Sequence, residues 1–240
     1  MKRLKIRKLL IYIAAMLFPI TMFYYSPYVI IHAALDSAIN GSCILFLAML
    51  VLSIFFGRLF CGYVCAGAGF GEMAGCINQK KPALGRLRWI KYVIWIIWLT
   101  AVIVLYAINS VKTVDPFWGT NHGISVGYIV EYIPYYIVVT LLFGVPLLFG
   151  RRAFCHYLCW MAPFMNLGMT IRELLHLPGL RIKVEKDNCI HCKLCTKNCP
   201  MGLDVHEMIQ NGKIDANECS MCGDCMSSCP KDVISYKWKD

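Results

Sequence analysis

The sequence predicts a four-helix integral membrane domain over residues 1–178, followed by a small α+β module over residues 179–240. Three observations carry this. The 240-residue chain is 58% hydrophobic with a mean hydropathy of +0.57, far above an ordinary soluble domain. Its net charge of +10 resides in the first 180 residues, where fifteen basic residues face five acidic ones; nine of each sign follow. Basic residues gathered at the ends of apolar stretches are a membrane distribution, which argues against nucleic acid as a partner. Finally, one cysteine pattern is written twice near the C-terminus. Residues 189–200 read CIHCKLCTKNCP and residues 219–230 read CSMCGDCMSSCP, each C-x2-C-x2-C-x3-C followed by proline.

Residues 1–8 hold five basic side chains, and residues 9–31 then run without a charge. This is too long for a signal peptide and lacks a small-residue cleavage site, so it reads as a first transmembrane helix, kinked near Pro19 and ending near Pro27. Residues 39–56, 89–108 and 128–149 are the second, third and fourth apolar runs. The segment from Gln79 to Lys91, which reaches into the start of the third, holds Lys80, Lys81, Arg86, Arg88 and Lys91, and Arg151 and Arg152 directly follow the fourth. The loops around Asp36 and at 109–125 carry only Lys112 as a basic residue. Both termini and the C-terminal module are therefore expected in the cytoplasm of a multi-pass plasma (inner) membrane protein.

An internal repeat lies inside this arrangement. At an offset of 94, Arg58, Phe60, Cys61, Tyr63 and Cys65 match Arg152, Phe154, Cys155, Tyr157 and Cys159, and Phe70 matches Phe164. The helix pairs are expected to be related by an axis along the membrane normal. Thiols four residues apart share a helix face, so Cys61, Cys65, Cys155 and Cys159 are candidates for one shared metal or cluster site. A redox-active dithiol and simple packing are the alternatives. Arg58 and Arg152 would offset thiolate charge. Cys43 reads as a small buried hydrophobe and Cys76 as a spare thiol.

Other stretches carry less. AGAGFGEMAG (66–75) lacks the following Lys-Ser/Thr of a phosphate loop and reads as close backbone packing. The outer loop DPFWGTNHG, with Asp115, Trp118 and His122, suits a quinone pocket, a partner contact or an interfacial aromatic belt. The apolar runs offer no facing histidines, which excludes haem b. After Pro178-Gly179, LRIKVEK alternates as a strand, 203–210 reads as a short helix, Asn211-Gly212 as a turn, and VISYKW as a partner strand.

The doubled run resembles that of bacterial two-cluster ferredoxins, over roughly residues 183–240. In that pattern the fourth cysteine of each run reaches across to the other [4Fe-4S] cluster. The resemblance implies Cys189, Cys192, Cys195 and Cys229 at one cluster, and Cys219, Cys222, Cys225 and Cys199 at the second. Zinc sites usually pair two C-x2-C hooks, which fits these runs poorly. Cluster thiolates also argue for a reducing compartment over a disulfide framework.

With the doubled Arg-x-Phe-Cys-x3-Cys motif included, nearly the whole chain resembles the membrane iron–sulfur proteins that accompany periplasmic nitrate reductase and nitrous oxide reductase. The copper-reducing accessory protein of cytochrome oxidase assembly looks related. In that family the second membrane cysteine of each pair is usually followed by proline; here Ala66 and Trp160 stand there, and Pro163 is displaced. The resemblance implies a membrane-anchored electron-transfer protein, a subunit working beside an oxidoreductase. It would pass electrons between a cytoplasmic donor and the quinone pool, a thiol/metal site (a third metal or cluster) or a partner subunit. The alternatives are a copper-ion reductase or metalloenzyme assembly factor, and a redox sensor, for which no output domain is evident.

Overall fold

A computed structural model of the chain describes residues 2–82, 85–212, 214 and 217–239; Met1 and the side chains of Lys2 and Arg86, counted among the basic flanks, lie outside it. The first apolar run is not one helix. It comprises α1 (Lys2–Met16), the short α2 (Phe18–Thr21) with a 3-10 turn to Tyr25, and α3 (Pro27–Leu35). Residues Arg3–Met16 and Phe18–Tyr25 meet at 61°. The prolines explain the breaks: Pro19 and Pro27 each occupy a first turn, where a missing N–H costs nothing.

After strand β1 (Ala38–Asn40), helix α4 (Gly41–Phe56) is capped by the Asn40 side chain, which accepts from Cys43 N. At 16 residues it is about 24 Å long, short of a ~30 Å hydrocarbon core. Two short segments follow, α5 (Leu59–Tyr63) and α6 (Ala66–Ile77), then α7 (Ile90–Asn109), strand β2 (Thr113–Asp115) and α8 (Tyr132–Phe149). Helices α9 (Ala153–Tyr157) and α10 (Ala162–Leu174) complete the first part. Among the described residues, Leu87–Asn109 and Ile129–Phe149 are the helices long and apolar enough to cross a membrane, with the bent N-terminal pair as a third if it is one span. The expected four transmembrane helices are thus reduced to two among the described residues, or three if the bent N-terminal pair is one span. Uninterrupted hydropathy marks a segment as apolar but not as straight.

The repeat is visible in the packing. Helix α6 of the first copy lies along α8 of the second, and α10 of the second along α4 of the first. Missing side chains allow these approaches. A Cβ at Gly67 would lie 3.2 Å from Leu142 of α8, one at Gly168 would strike Ser53 and the Leu50 carbonyl of α4, and one at Gly69 would come within 2.5 Å of the Ile11 carbonyl of α1. The glycine-rich 66–75 stretch is therefore a close-packing device, as its composition suggests.

At the C-terminus, β3 (Gly179–Val184) and β4 (Ile234–Lys239) pair antiparallel, Gly179 opposite Lys239 and Val184 opposite Ile234. Between them lie α11 (Leu194–Lys197), α12 (Val205–Gln210) and α13 (Asp224–Ser227). Their core is Met201, Leu203, Val205, Ile209, Val233 and Ile234, and Cys155 of the membrane repeat packs against it. The module is seated on the membrane domain. A Cβ at Gly62 would meet the Ser220 carbonyl at 2.6 Å and the Cys222 backbone at 3.0 Å; one at Gly179 would meet the Phe55 carbonyl at 2.9 Å.

Candidate metal centres

The two cysteine runs adopt one local fold thirty residues apart. In the first, His191 and Lys193 have φ of 56° and 57°; in the second, Met221 and Gly223 have φ of 50° and 79°. These left-handed residues turn the chain around each three-cysteine hook and aim backbone amides inwards: Met221 N–H donates to Cys219 Sγ at 3.4 Å. The third cysteine of each hook, Cys195 or Cys225, then sits on α11 or α13.

The fourth cysteine does cross over. One cavity is lined by Cys189, Cys192, Cys195 and Cys229, and a second by Cys199, Cys219, Cys222 and Cys225. The first, the outer site, is nearer solvent, with Cys192 exposed; the second, the inner site, faces α5 through Gly62. Burial pushes the Cys199 and Cys222 thiols up, and the neighbouring Asp224 adds to the shift at Cys222, which reaches about 12. Such thiols ionise readily only against a metal. Four convergent sulfurs and an inward amide fit a thiolate-held cluster.

The membrane cysteines form a third group. Short helices α5 and α9 repeat each other bond for bond. Val64 N and Cys65 N both donate to the Phe60 carbonyl (2.9 and 3.1 Å), and Leu158 N and Cys159 N both donate to Phe154 (3.0 Å each). Each second cysteine thereby turns out of its helix. Cys65, Cys155 and Cys159 line one cavity; burial raises the Cys65 thiol, and Cys61, Cys159 and Cys155 raise it further. Cys61 Sγ lies 3.2 Å from the Met165 thioether. Arg58, 1% exposed, donates to the Asn217 carbonyl while its Nε lacks a partner, and among the described residues no carboxylate lies within ion-pair distance. The charges bearing on it are those of Cys61, Glu218, Cys159 and Cys155. A buried guanidinium facing three of the four thiols fits a thiolate–metal site of net negative charge.

Sequence reasoning missed the polar residues that join these groups. Arg7 of α1 donates bidentately to Glu72 (2.7 and 3.0 Å) and also to Asp224 (2.8 Å) beside the inner site; Arg152 shares Glu72 and donates to Ser220. Burial raises Glu72, but Arg152 and Arg7 together override it and hold the carboxyl below its ordinary value. Lys91 and His156 both bind Glu218, at 2.8 and 2.9 Å. Burial opposes ionisation of Glu218 as well, yet these two partners bring it down to about 2. His156 Nε2 faces the Met201 carbonyl at 2.9 Å, so both ring nitrogens lie against oxygen atoms. The available signals were slight: Glu72 is the single charge in a glycine-rich apolar stretch, and Lys91 was counted as a flank.

Beside the membrane thiols lies a cavity of about 470 Å³, almost wholly apolar. Its lining runs from Cys65, Cys155 and Cys159 to Tyr28, His32 and Trp118, on elements next to the β1–β2 pair. His122 of the outer loop is exposed and outside this lining, with φ of 51°.

A family model described as a 4Fe-4S dicluster domain matches residues 188–234, and one described as a 4Fe-4S binding domain matches twice, at 41–81 and 133–178. The latter two stretches are the copies of the repeat, each with its cysteine pair. The uncharacterized protein MJ0750 of Methanocaldococcus jannaschii is 30% identical over 79% of this chain and 76% of its own length. YccM of Escherichia coli, named for electron transport, is 26% identical over 85% of this chain and 57% of its own. The regulatory protein NosR of Pseudomonas aeruginosa is 25% identical over 72% of this chain but 24% of its own. No solved structure matches.

Proposed function

The chain belongs to the family of the M. jannaschii protein MJ0750, and from that premise we propose a membrane-anchored electron-transfer protein linking two [4Fe-4S] sites to an acceptor or donor within the membrane. Its ferredoxin-type domains and its likeness to a protein named for electron transport support electron transfer as the activity. The observation that carries the finer reading is the succession of three four-thiol groups: the outer site, the inner site, and the membrane set reached through Gly62 and Cys155. Cys189, Cys192, Cys195 and Cys229 hold one cluster, and Cys199, Cys219, Cys222 and Cys225 the other. Cys61, Cys65, Cys155 and Cys159 hold a third metal or cluster. When bound, such centres supply reversible one-electron chemistry whose potential depends on sulfur hydrogen bonds and solvent exposure.

The protein's own residues hold and insulate these sites. Arg58 and Arg152 balance thiolate charge at the membrane set. Arg7 and Arg152, both held by Glu72, reach Asp224 and Ser220, and Lys91 and His156 hold Glu218, so that the module is locked against α1, α7 and α9. The basic flanks support a cytoplasmic module on the inner membrane, fed by a cytoplasmic donor. The apolar cavity beside the membrane thiols suits a quinone head group; its size is within the usual range for small-molecule sites. The second reading, a copper-ion reductase or assembly factor, draws on the soft thiol set with Met165 beside it, which suits Cu(I). A hydrated metal ion would lose its water shell in so apolar a cavity, which favours the quinone reading.

The test is anaerobic purification with iron, sulfide and copper analysis beside EPR, for the parent chain and for Cys61→Ser and Cys155→Ser. About eight iron and eight sulfide belong to the module's two sites. Further iron or copper lost in both variants identifies the membrane occupant. Stoichiometric zinc without iron sinks the proposal.

A further inference from the structure

The two cysteine runs differ in one feature with no counterpart in the docking or in the three thiol groups. At the third position of the inner run stands Met221, buried in the interface with its sulfur against Gly57. The outer run has His191 there, exposed, with Nδ1 3.1 Å from His206 Nε2. The two rings stand edge to face with centroids 5.3 Å apart. One ligand atom from each of Cys189, His191 and His206 lies within 4.8 Å of the others.

His206 is held in place from below. Its backbone N–H donates to Thr196 Oγ1 at 2.8 Å, and that hydroxyl donates to Asp204 Oδ1 at 3.1 Å, the same carboxylate that caps α12. His191 is fixed by the left-handed turn of its hook. Two imidazoles on independently anchored segments are thus brought to hydrogen-bond distance at the surface.

We propose that His191 and His206 bind one borderline divalent cation, of the Zn2+, Co2+ or Ni2+ class, set against the outer four-thiol site with the Cys189 sulfur as its inner neighbour. Imidazole suits these ions. With metal–nitrogen bonds of about 2.0–2.1 Å, the observed 3.1 Å separation corresponds to an N–metal–N angle of roughly 100°, between square-planar and tetrahedral. Each ring binds the ion through an unprotonated nitrogen, any proton on that nitrogen passing to solvent, and both rings swing to face one point on the solvent side. No bond to Cys189 need break, because a thiolate sulfur can bridge two metals. A cation there stabilises the more negative, reduced form of the outer site, so occupancy raises its potential and tunes electron entry.

This rests on the outer site holding a cluster, but ion binding itself does not. The experiment titrates Zn2+ alone into anaerobic full-length protein by calorimetry and counts iron in the same samples. The parent chain should bind one more Zn2+ than His206→Gln, or bind it at least tenfold more tightly, with iron unchanged and chelator reversing the effect. Co2+ should broaden one of the two module EPR signals in the parent chain only. His191→Gln should behave like His206→Gln. Equal Zn2+ binding in all three proteins, or Zn2+ uptake matched by iron release, overturns the proposal. Iron-free parent protein that still binds the extra Zn2+ would refute the electron-transfer reading and leave the histidine site standing.

Discussion

Glu218→Gln is the sharpest test of how the module is held. Glu218 is 5% exposed and accepts from Lys91 at 2.8 Å and His156 at 2.9 Å, both fully buried. Removing one partner of a buried ion pair costs about 3–5 kcal/mol, since the remaining charge is stranded out of water. Glutamine keeps the volume and one acceptor oxygen, which places the cost near the low end, about 3 kcal/mol. At 1.4 kcal/mol per decade, the undocked population should rise roughly 100-fold. Amide hydrogen exchange on the anaerobic full-length protein reads this directly, at α9 and at Met201–Gly202 facing it, with β3 and β4 as an internal reference that should hardly change. Iron content must stay at the parent level, because Glu218 adjoins Cys219. Exchange at α9 within threefold of the parent would refute the reasoning, and Lys91 and His156 would then have to be paired by water or neutral.

Gly62→Ala places a methyl group against the Ser220 carbonyl and Cys222 backbone, and overpacking there should cost about 1–3 kcal/mol in thermal stability with both module sites still loaded. Arg58→Leu should reduce metal retained by the membrane thiols while leaving about eight iron in the module, read by metal analysis after dialysis; undiminished membrane metal would remove Arg58 from that site. A C-terminal reporter should be active on the cytoplasmic side, and activity only outside would invert the assigned direction of the whole chain.

What was legible in the sequence follows from the range of each interaction. The hooks and the β3 and β4 strands are local patterns that lie where their spacing puts them; the repeat was legible too, but Cys65 and Cys159 turn out of α5 and α9 instead of sharing a helix face with Cys61 and Cys155. The broken first run was half visible: Pro19 and Pro27 announced breaks, but not the 61° turn between the segments. The short α4 was hidden, because Ile39 belongs to β1 and the helix begins only after the Asn40 cap. The docking network was out of reach. Arg7 and Asp224 are 217 residues apart, and the balanced charge of the module concealed that two of its acids pair with buried cations of the other domain.

That network bears on function more than on stability. Burying charge is costly, and apolar contacts of equal volume often stabilise as well or better. What ion pairs add is direction, since a bidentate Arg7–Glu72 pair or a Glu218 held from two sides has one good geometry. Electron exchange between centres falls steeply with separation, so a carrier swinging on a flexible linker would spend most of its time too far away. Here the Pro178-Gly179 junction is pressed onto the end of α4, Gly62 brings the backbones of the inner run and α5 together, and Gly57 makes room for the Met221 side chain. The three thiol groups are thereby held in one order, outer, inner, membrane. In the proposed reading this makes the module a fixed conductor: its donor docks at the exposed outer site, and no domain motion is needed between there and the membrane thiols.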